Sequence, residues 1–220
     1  MRSLLQPGVL KSAGVSALIT SLVCFPRLYT WRDRSYQLWF LALTLAWASF
    51  ILWSFVFGWS PQNVRRPIRA VSPSLWSAAT VAGLVGALVL RLFIDSVLQP
   101  LLPGDYPDSC EVWLAMTLFT LGFDQLFLCF APFAFFVRLM PDQRAAAGLT
   151  VLFGVVLLGL RIESLGIQLS SVFIVGLFVW RIASGILTLY FYLKGGPSLV
   201  WWCALLMQLR HLVTLKVPEQ

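Results

Sequence analysis

The chain has 220 residues, of which 59% are hydrophobic and 11% charged, and its mean hydropathy of +0.84 exceeds what a soluble domain of this size needs. Its net charge of +7 does not point to nucleic acid, because no basic patch is interleaved with stacking aromatics in a polar segment. In a membrane protein Lys and Arg set orientation and meet anionic headgroups, so the partner that composition implies is membrane lipid.

The apolar runs are continuous and do not alternate with period two, which favours spanning helices over a barrel. The expected fold is therefore all-α: a polytopic bundle of about six spanning helices plus a short N-terminal apolar helix. Residues 1–36 read as that interfacial or imperfectly crossing helix, Ala13 to Phe25, followed by a basic connector, Arg27–Arg34. Cys24-Phe25-Pro26 is a poor cleavage site, which argues against a removable signal peptide. Residues 37–220 form the transmembrane domain.

Within it Gln37 to Trp59 is a clear span, followed by the polar loop Ser60–Pro73 with Arg65, Arg66 and Arg69. The second span, Leu75 to about Leu92, carries Ala78, Ala79, Ala82, Gly83, Gly86 and Ala87, small residues suited to close helix contact. Arg91 and Asp95 are expected to pair on one face at its end. An acidic connection, Gln99–Glu111, leads to the third span, Val112 to Val137, which Pro132 is expected to kink. The fourth is Ala145 to Leu160, the fifth Leu169 to Leu193 with Arg181 at its middle, and the sixth Ser198 to Leu215. Orientation stays open: the Arg65–Arg69 loop and the acidic connection point one way, and the Arg27–Arg34 cluster points the other unless Ala13–Phe25 crosses.

Trp31, Trp39, Trp59, Trp76, Trp113, Trp201 and Trp202 lie near run ends, where aromatic belts meet headgroups. The four cysteines, Cys24, Cys110, Cys129 and Cys203, form neither a disulfide framework nor a zinc spacing and read mainly as small buried hydrophobes.

The stretch of greatest interest is Leu121 to Val137, which sets Asp124 beside Gln125 well inside an apolar run. A carboxylate at that depth costs a few kcal/mol or more unless it is paired, protonated or turned to a protein interior. Asp124, Gln125, Arg181, Gln208 and Arg210 are too costly to face lipid, and together they read as a buried polar network. Asp124 is expected to pair with Arg181 or Arg210. His211, the one histidine, is expected at headgroup level.

Three fragments carry a resemblance. They are Asp124-Gln125-Leu126-Phe127-Leu128-Cys129, then Leu149 to Leu157, then Ser184-Gly185 through Tyr192-Leu193-Lys194-Gly195-Gly196-Pro197-Ser198-Leu199 and the helix to His211. In order and spacing, residues 112–213 resemble the CPBP family of intramembrane proteases, the CAAX-processing and bacteriocin-processing group. That family carries Glu-Glu-x-x-x-Arg on one helix, Phe-x-x-x-His on the next, and His and Asn on a later helix after a Tyr-Leu-Arg-x-Gly-Ser-like turn. The resemblance sets Asp124 and Gln125 at the glutamate pair, Cys129 at the arginine, Phe153 at the phenylalanine, and Leu157, Leu206 and Arg210 at the His and Asn positions.

It implies an intramembrane endopeptidase framework in a bacterial-type plasma membrane, with Asp124 the one motif position that can still act as a base. Gln125 cannot titrate, and Leu157 and Leu206 can neither bind metal nor orient water. A catalytic metal takes about three protein ligands, and the sequence offers at most Asp124 and His211, so neither metal nor other cofactor is expected. The reading adopted is a CPBP-like protein without the catalytic centre, acting on a membrane protein or peptide partner. Two alternatives stay open: an active protease with an altered centre at Asp124, and a small transporter component with Arg181 and Asp124 along a polar path. The absence of an inverted repeat counts against the latter.

Overall fold

The computed structural model describes residues 6–30, 37–59, 71–140 and 142–215. Among them the secondary structure is helical throughout, in seven segments: α1 (Pro7–Thr30), α2 (Leu38–Trp59), α3 (Pro73–Leu101), α4 (Cys110–Leu139), α5 (Gln143–Leu165), α6 (Ser171–Gly195) and α7 (Pro197–Gln208). The first six are long and apolar enough to cross a bilayer, so the chain is an integral membrane protein. Arg32, Arg34 and the Arg65–Arg69 loop, on which the orientation argument leans, lie outside the described residues.

The expected number of spans is met by different members. α1 runs well past Ala13–Phe25 to full spanning length, with Pro26 inside it, and packs along α2 and against α4. α7 has only 12 residues and passes into a 3₁₀ turn, Leu209–Thr214, so it is not among the six. α3 continues beyond Leu92 to Leu101 through a π-wound stretch, Leu90–Asp95.

Local signals explain the helix ends. Ser109 Oγ accepts from the Val112 amide at the start of α4, and Glu111 sits in the first turn where the helix dipole favours a negative charge. Asp142 and Ser170 cap α5 and α6 in the same way. α5 stops at Gly166, whose φ of 62° is left-handed. Gly196, with φ 78°, and Pro197 at the first position of α7 make a reversal that sends α7 back against α6 and α3.

α4 is the hub of the bundle, touching α1, α2, α5, α6 and α7. Its Phe130 and Phe133 are fully buried with Tyr192 of α6, and the Phe130 and Tyr192 rings stack at 4.7 Å between centroids. Three tryptophans, two of them (Trp113 and Trp202) from the group expected at headgroup level, tie helices together. Trp53 Nε1 donates to Thr20 Oγ1, Trp113 Nε1 to the Gln208 carbonyl, and Trp202 Nε1 to Thr80 Oγ1. An indole N–H in hydrocarbon needs such an acceptor. Trp39 is 84% exposed, and Trp31 lies outside the described residues.

The small-residue face of α3 does bring a helix close. A Cβ added at Gly83 would lie 2.8 Å from Leu206 Cβ and 3.0 Å from the Cys203 carbonyl oxygen on α7. Gly83→Ala should therefore destabilise the protein by about 1–3 kcal/mol, as overpacking does. Thermal unfolding in neutral detergent measures it, with Gly148→Ala, whose Cβ meets nothing within 4 Å, as the unchanged control.

Candidate intramembrane polar site

α4 is not a regular α-helix where the sequence draws attention. It is π-wound over Thr120–Asp124 and again over Leu126–Phe130, with the Gln125 amide bonded back to the Thr120 carbonyl and that of Ala131 to Leu126. Pro132, which has no N–H to donate, follows directly in the α-helical remainder. Local π winding is one way a membrane helix accommodates a proline, and π turns recur at functional sites. Asp124 closes the first π stretch, and its Oδ2 accepts from Thr120 Oγ1 at 3.1 Å.

Two adjoining cavities open beside this segment. The larger, ≈ 800 Å³, reaches from the Pro103–Asp108 connection down between α3, α4, α5 and α6, and Asp124, Asp95, Arg161, Arg181, Arg210 and His211 line it. The smaller, ≈ 190 Å³, lies deeper and has Gln125, Cys129, Thr150, Arg181, Gln208 and Arg210 in its wall. Thr120, Trp180, Arg181, Ser184, Gln208 and Arg210 belong to both walls and form the neck between them. All five members of the expected polar network thus border one connected space.

Its pairing differs from expectation. Arg210 does not reach Asp124; its Nε donates to Asp95 Oδ2 at 2.9 Å, and the two side chains are only 14% and 2% exposed. Arg210 Nη1 also donates to the Met207 carbonyl, and Tyr106 Oη donates to Asp95 Oδ1 at 3.2 Å. Nor does Asp95 pair with Arg91: its carboxylate points inward, while Arg91 Nη1 meets Gln99 Oε1 at 3.5 Å. Like Asp124, Asp95 closes a π-wound stretch.

His211 is buried within the protein, with its ring edge-on to Tyr106 at 5.5 Å. Burial, and then the Arg210 charge, push its pKa down to about 4, while Asp95 pulls the other way. The Tyr106 hydroxyl is pushed above its ordinary range, first by burial and then by the Asp95 charge.

Arg181 and Asp124 feel each other's charge but form no ion pair within 4.0 Å. The reason lies on α5. The Arg181 guanidinium lies against Gly154, where an added Cβ would fall 2.7 Å from Nε and 2.8 Å from Cζ. The guanidinium thus lies against α5, and Asp124 accepts from Thr120.

The motif positions divide. Asp124, Gln125, Cys129 and Arg210 border the cavities, whereas Leu157 and Leu206 are in neither wall. Leu206 is buried against Gly83 of α3, and Phe153 packs edge-on against Phe127. Among the described residues no three His, Cys, Asp or Glu side chains converge as a metal site would require. Sequence reasoning missed Asp95, Tyr106, Trp180 and the seating role of Gly154. Asp95 carried the same signal as Asp124, an acid within an apolar run, but it was read as a boundary residue.

Comparison with known proteins finds no family model, no curated protein and no solved structure that matches this chain.

Breaking a buried ion pair strands a charge and costs about 3–5 kcal/mol, whereas removing both partners costs less than the sum. Asp95→Asn and Arg210→Gln should each lower the unfolding midpoint in detergent sharply, and the double variant should recover part of the loss. Additive losses would refute the pairing. His211 sets a pH dependence. Its folded pKa, lowered from 6.5 to about 4, means the folded state holds it neutral, so that stability is present above pH 6.5 and lost as pH falls toward about 4. The midpoint should drop through this window, and less steeply in His211→Gln, which separates His211 from nearby Asp95.

Proposed function

We propose that this protein is a CPBP-like intramembrane protein that binds a membrane protein or peptide segment in its polar cavity without hydrolysing it. What supports this most directly is that Asp124, Gln125 and Cys129 border the cavities, while Leu157 and Leu206, at the motif's histidine positions, lie in neither wall and set no histidine against Asp124. Peptide hydrolysis needs a water activated by a base or a metal and a means of stabilising the oxyanion. Asp124 alone offers a base, and its Oδ2 is committed to Thr120. His211 is held in the Tyr106–Asp95–Arg210 cluster instead of facing Asp124. The cavity still gives a polar segment somewhere to enter, because it is ≈ 800 Å³ and carries both carboxylates and guanidiniums.

The test co-reconstitutes the full chain with a synthetic single-span peptide bearing a polar flank. A photo-crosslinker replaces Leu98 in the cavity wall or, as control, Leu92 on the exposed face of α3. The Leu98 position should yield adducts whose mass contains the intact peptide, and the Leu92 position should yield mainly lipid adducts. Peptide fragments that disappear in Asp124→Asn would overturn the reading in favour of an active protease.

A further inference from the structure

We infer that the deeper chamber is a binding site for a small anionic group, a carboxylate or phosphate, with Arg181 as its principal contact. The inference goes beyond the proposed function and rests on the cavity alone. The chamber wall contains two guanidiniums, those of Arg181 and Arg210, and no carboxylate. Arg210 is neutralised by Asp95. The Arg181 side chain makes no hydrogen bond or ion pair with any described residue, although it sits midway along a spanning helix. A cation at that depth is costly without a counter-charge in contact; Asp124 acts on it across the outer cavity but does not touch it or line the deeper chamber.

Neutral donors surround the same space. The side chains of Gln125, Thr188 and Gln208 border the chamber and make no hydrogen bond to a described residue. Together with Arg181 they offer amide, hydroxyl and guanidinium N–H or O–H groups in a place that excludes competing acids, which is how proteins hold carboxylates and phosphates. Gly154 leaves room for the guanidinium in this position, since an added Cβ would fall 2.7 Å from Nε and the guanidinium would have to shift.

The volume of ≈ 190 Å³ suits such a group with a few waters and is too small for a helix. Beyond the neck, the outer cavity has apolar walls at Leu90, Ile94, Leu98, Met116, Leu158 and Ile162. The anionic group can thus arrive free or as the head of a single-chain amphiphile whose tail lies along those walls.

The experiment measures ligand-induced thermal shifts of the purified full chain in neutral detergent. The probes are oleate (charged, with a tail), oleyl alcohol (the same tail, uncharged), and acetate and inorganic phosphate (charged, tailless). Oleate should give a saturable rise that oleyl alcohol does not, identifying an amphiphile. An equal saturable rise with acetate or phosphate would identify a free anion as the source, and either result supports the site. Arg181→Gln should weaken binding about tenfold or more, as loss of a charge-assisted hydrogen bond does. Arg181→Lys, which keeps the charge, should retain part of the binding, and it serves as the test variant should Arg181→Gln fail to fold. Gly154→Ala, whose Cβ would push the guanidinium from its position, should weaken binding although Arg181 itself is unaltered. Equal stabilisation by oleyl alcohol, shifts unaffected by Arg181 substitution, or no saturable shift with any anion would overturn the inference. None of these outcomes depends on whether the protein cuts peptides, so failure here leaves the proposed function standing.

Discussion

Charge in hydrocarbon must be enclosed by protein, and most of this architecture follows from that constraint. Asp95 and Arg210 come from helices far apart in sequence and meet where neither could face lipid. Tyr106 donates its hydroxyl to the same carboxylate, which closes the cluster from the connection side. α7 is too short to cross, so this ion pair and the Trp113 bond to the Gln208 carbonyl are what hold its end inside the bundle. A buried pair of this kind adds little net stability compared with an apolar replacement, but it specifies which helix ends meet. Arg181 is handled differently. It is kept from lipid by a glycine seat and a chamber of neutral donors, with no acid in contact.

The helical class was legible in the sequence because long unbroken apolar runs admit few other structures. The boundaries were less so, and the errors share one cause. Pro26 with Arg27, and Arg91 with Asp95, were taken as ends of apolar runs, yet α1 and α3 continue through them. In a bundle a charged residue can stay helical by turning inward, which hydropathy along one chain does not reveal. Asp124 was legible as a site because its cost is local. The partner of Arg210 was not, since 115 residues separate it from Asp95 and the pairing depends on how α3 and α7 cross. The tryptophan hydrogen bonds were not legible for a similar reason: proximity to a run end says nothing about whether an acceptor waits on the next helix.

Under the proposed reading, the exchange of polar motif residues for leucines has a structural as well as a chemical effect. Leu206 contributes its side chain to the contact with Gly83, where a polar side chain would have to be satisfied within an apolar crossing. The leucine thus closes a helix interface where the family motif would set a water-handling group. On the same reading Cys129 would stand where the motif has an arginine; the chamber wall holds the guanidiniums of Arg181 and Arg210. On that reading the exchange at Cys129 bears on the chamber and the one at Leu206 on the helix crossing beside it.

The two interior acids share a further property. Asp95 closes one π-wound stretch and Asp124 another, on different helices that face the same cavity. A π turn closes i→i+5 hydrogen bonds in place of i→i−4 geometry, so it widens the helix and shifts the facing of every residue beyond it relative to an α-helix. In α3 and α4 this shift comes where the chain passes from lipid-facing apolar residues to a carboxylate turned inward. π winding is less favourable than α winding, and it persists where surrounding packing over-determines it. Pro132 supplies a local reason in α4, but no proline stands within Leu90–Asp95 of α3. What the two stretches have in common is the cavity, so the cost of the irregular winding is best understood as the cost of aiming acids into it.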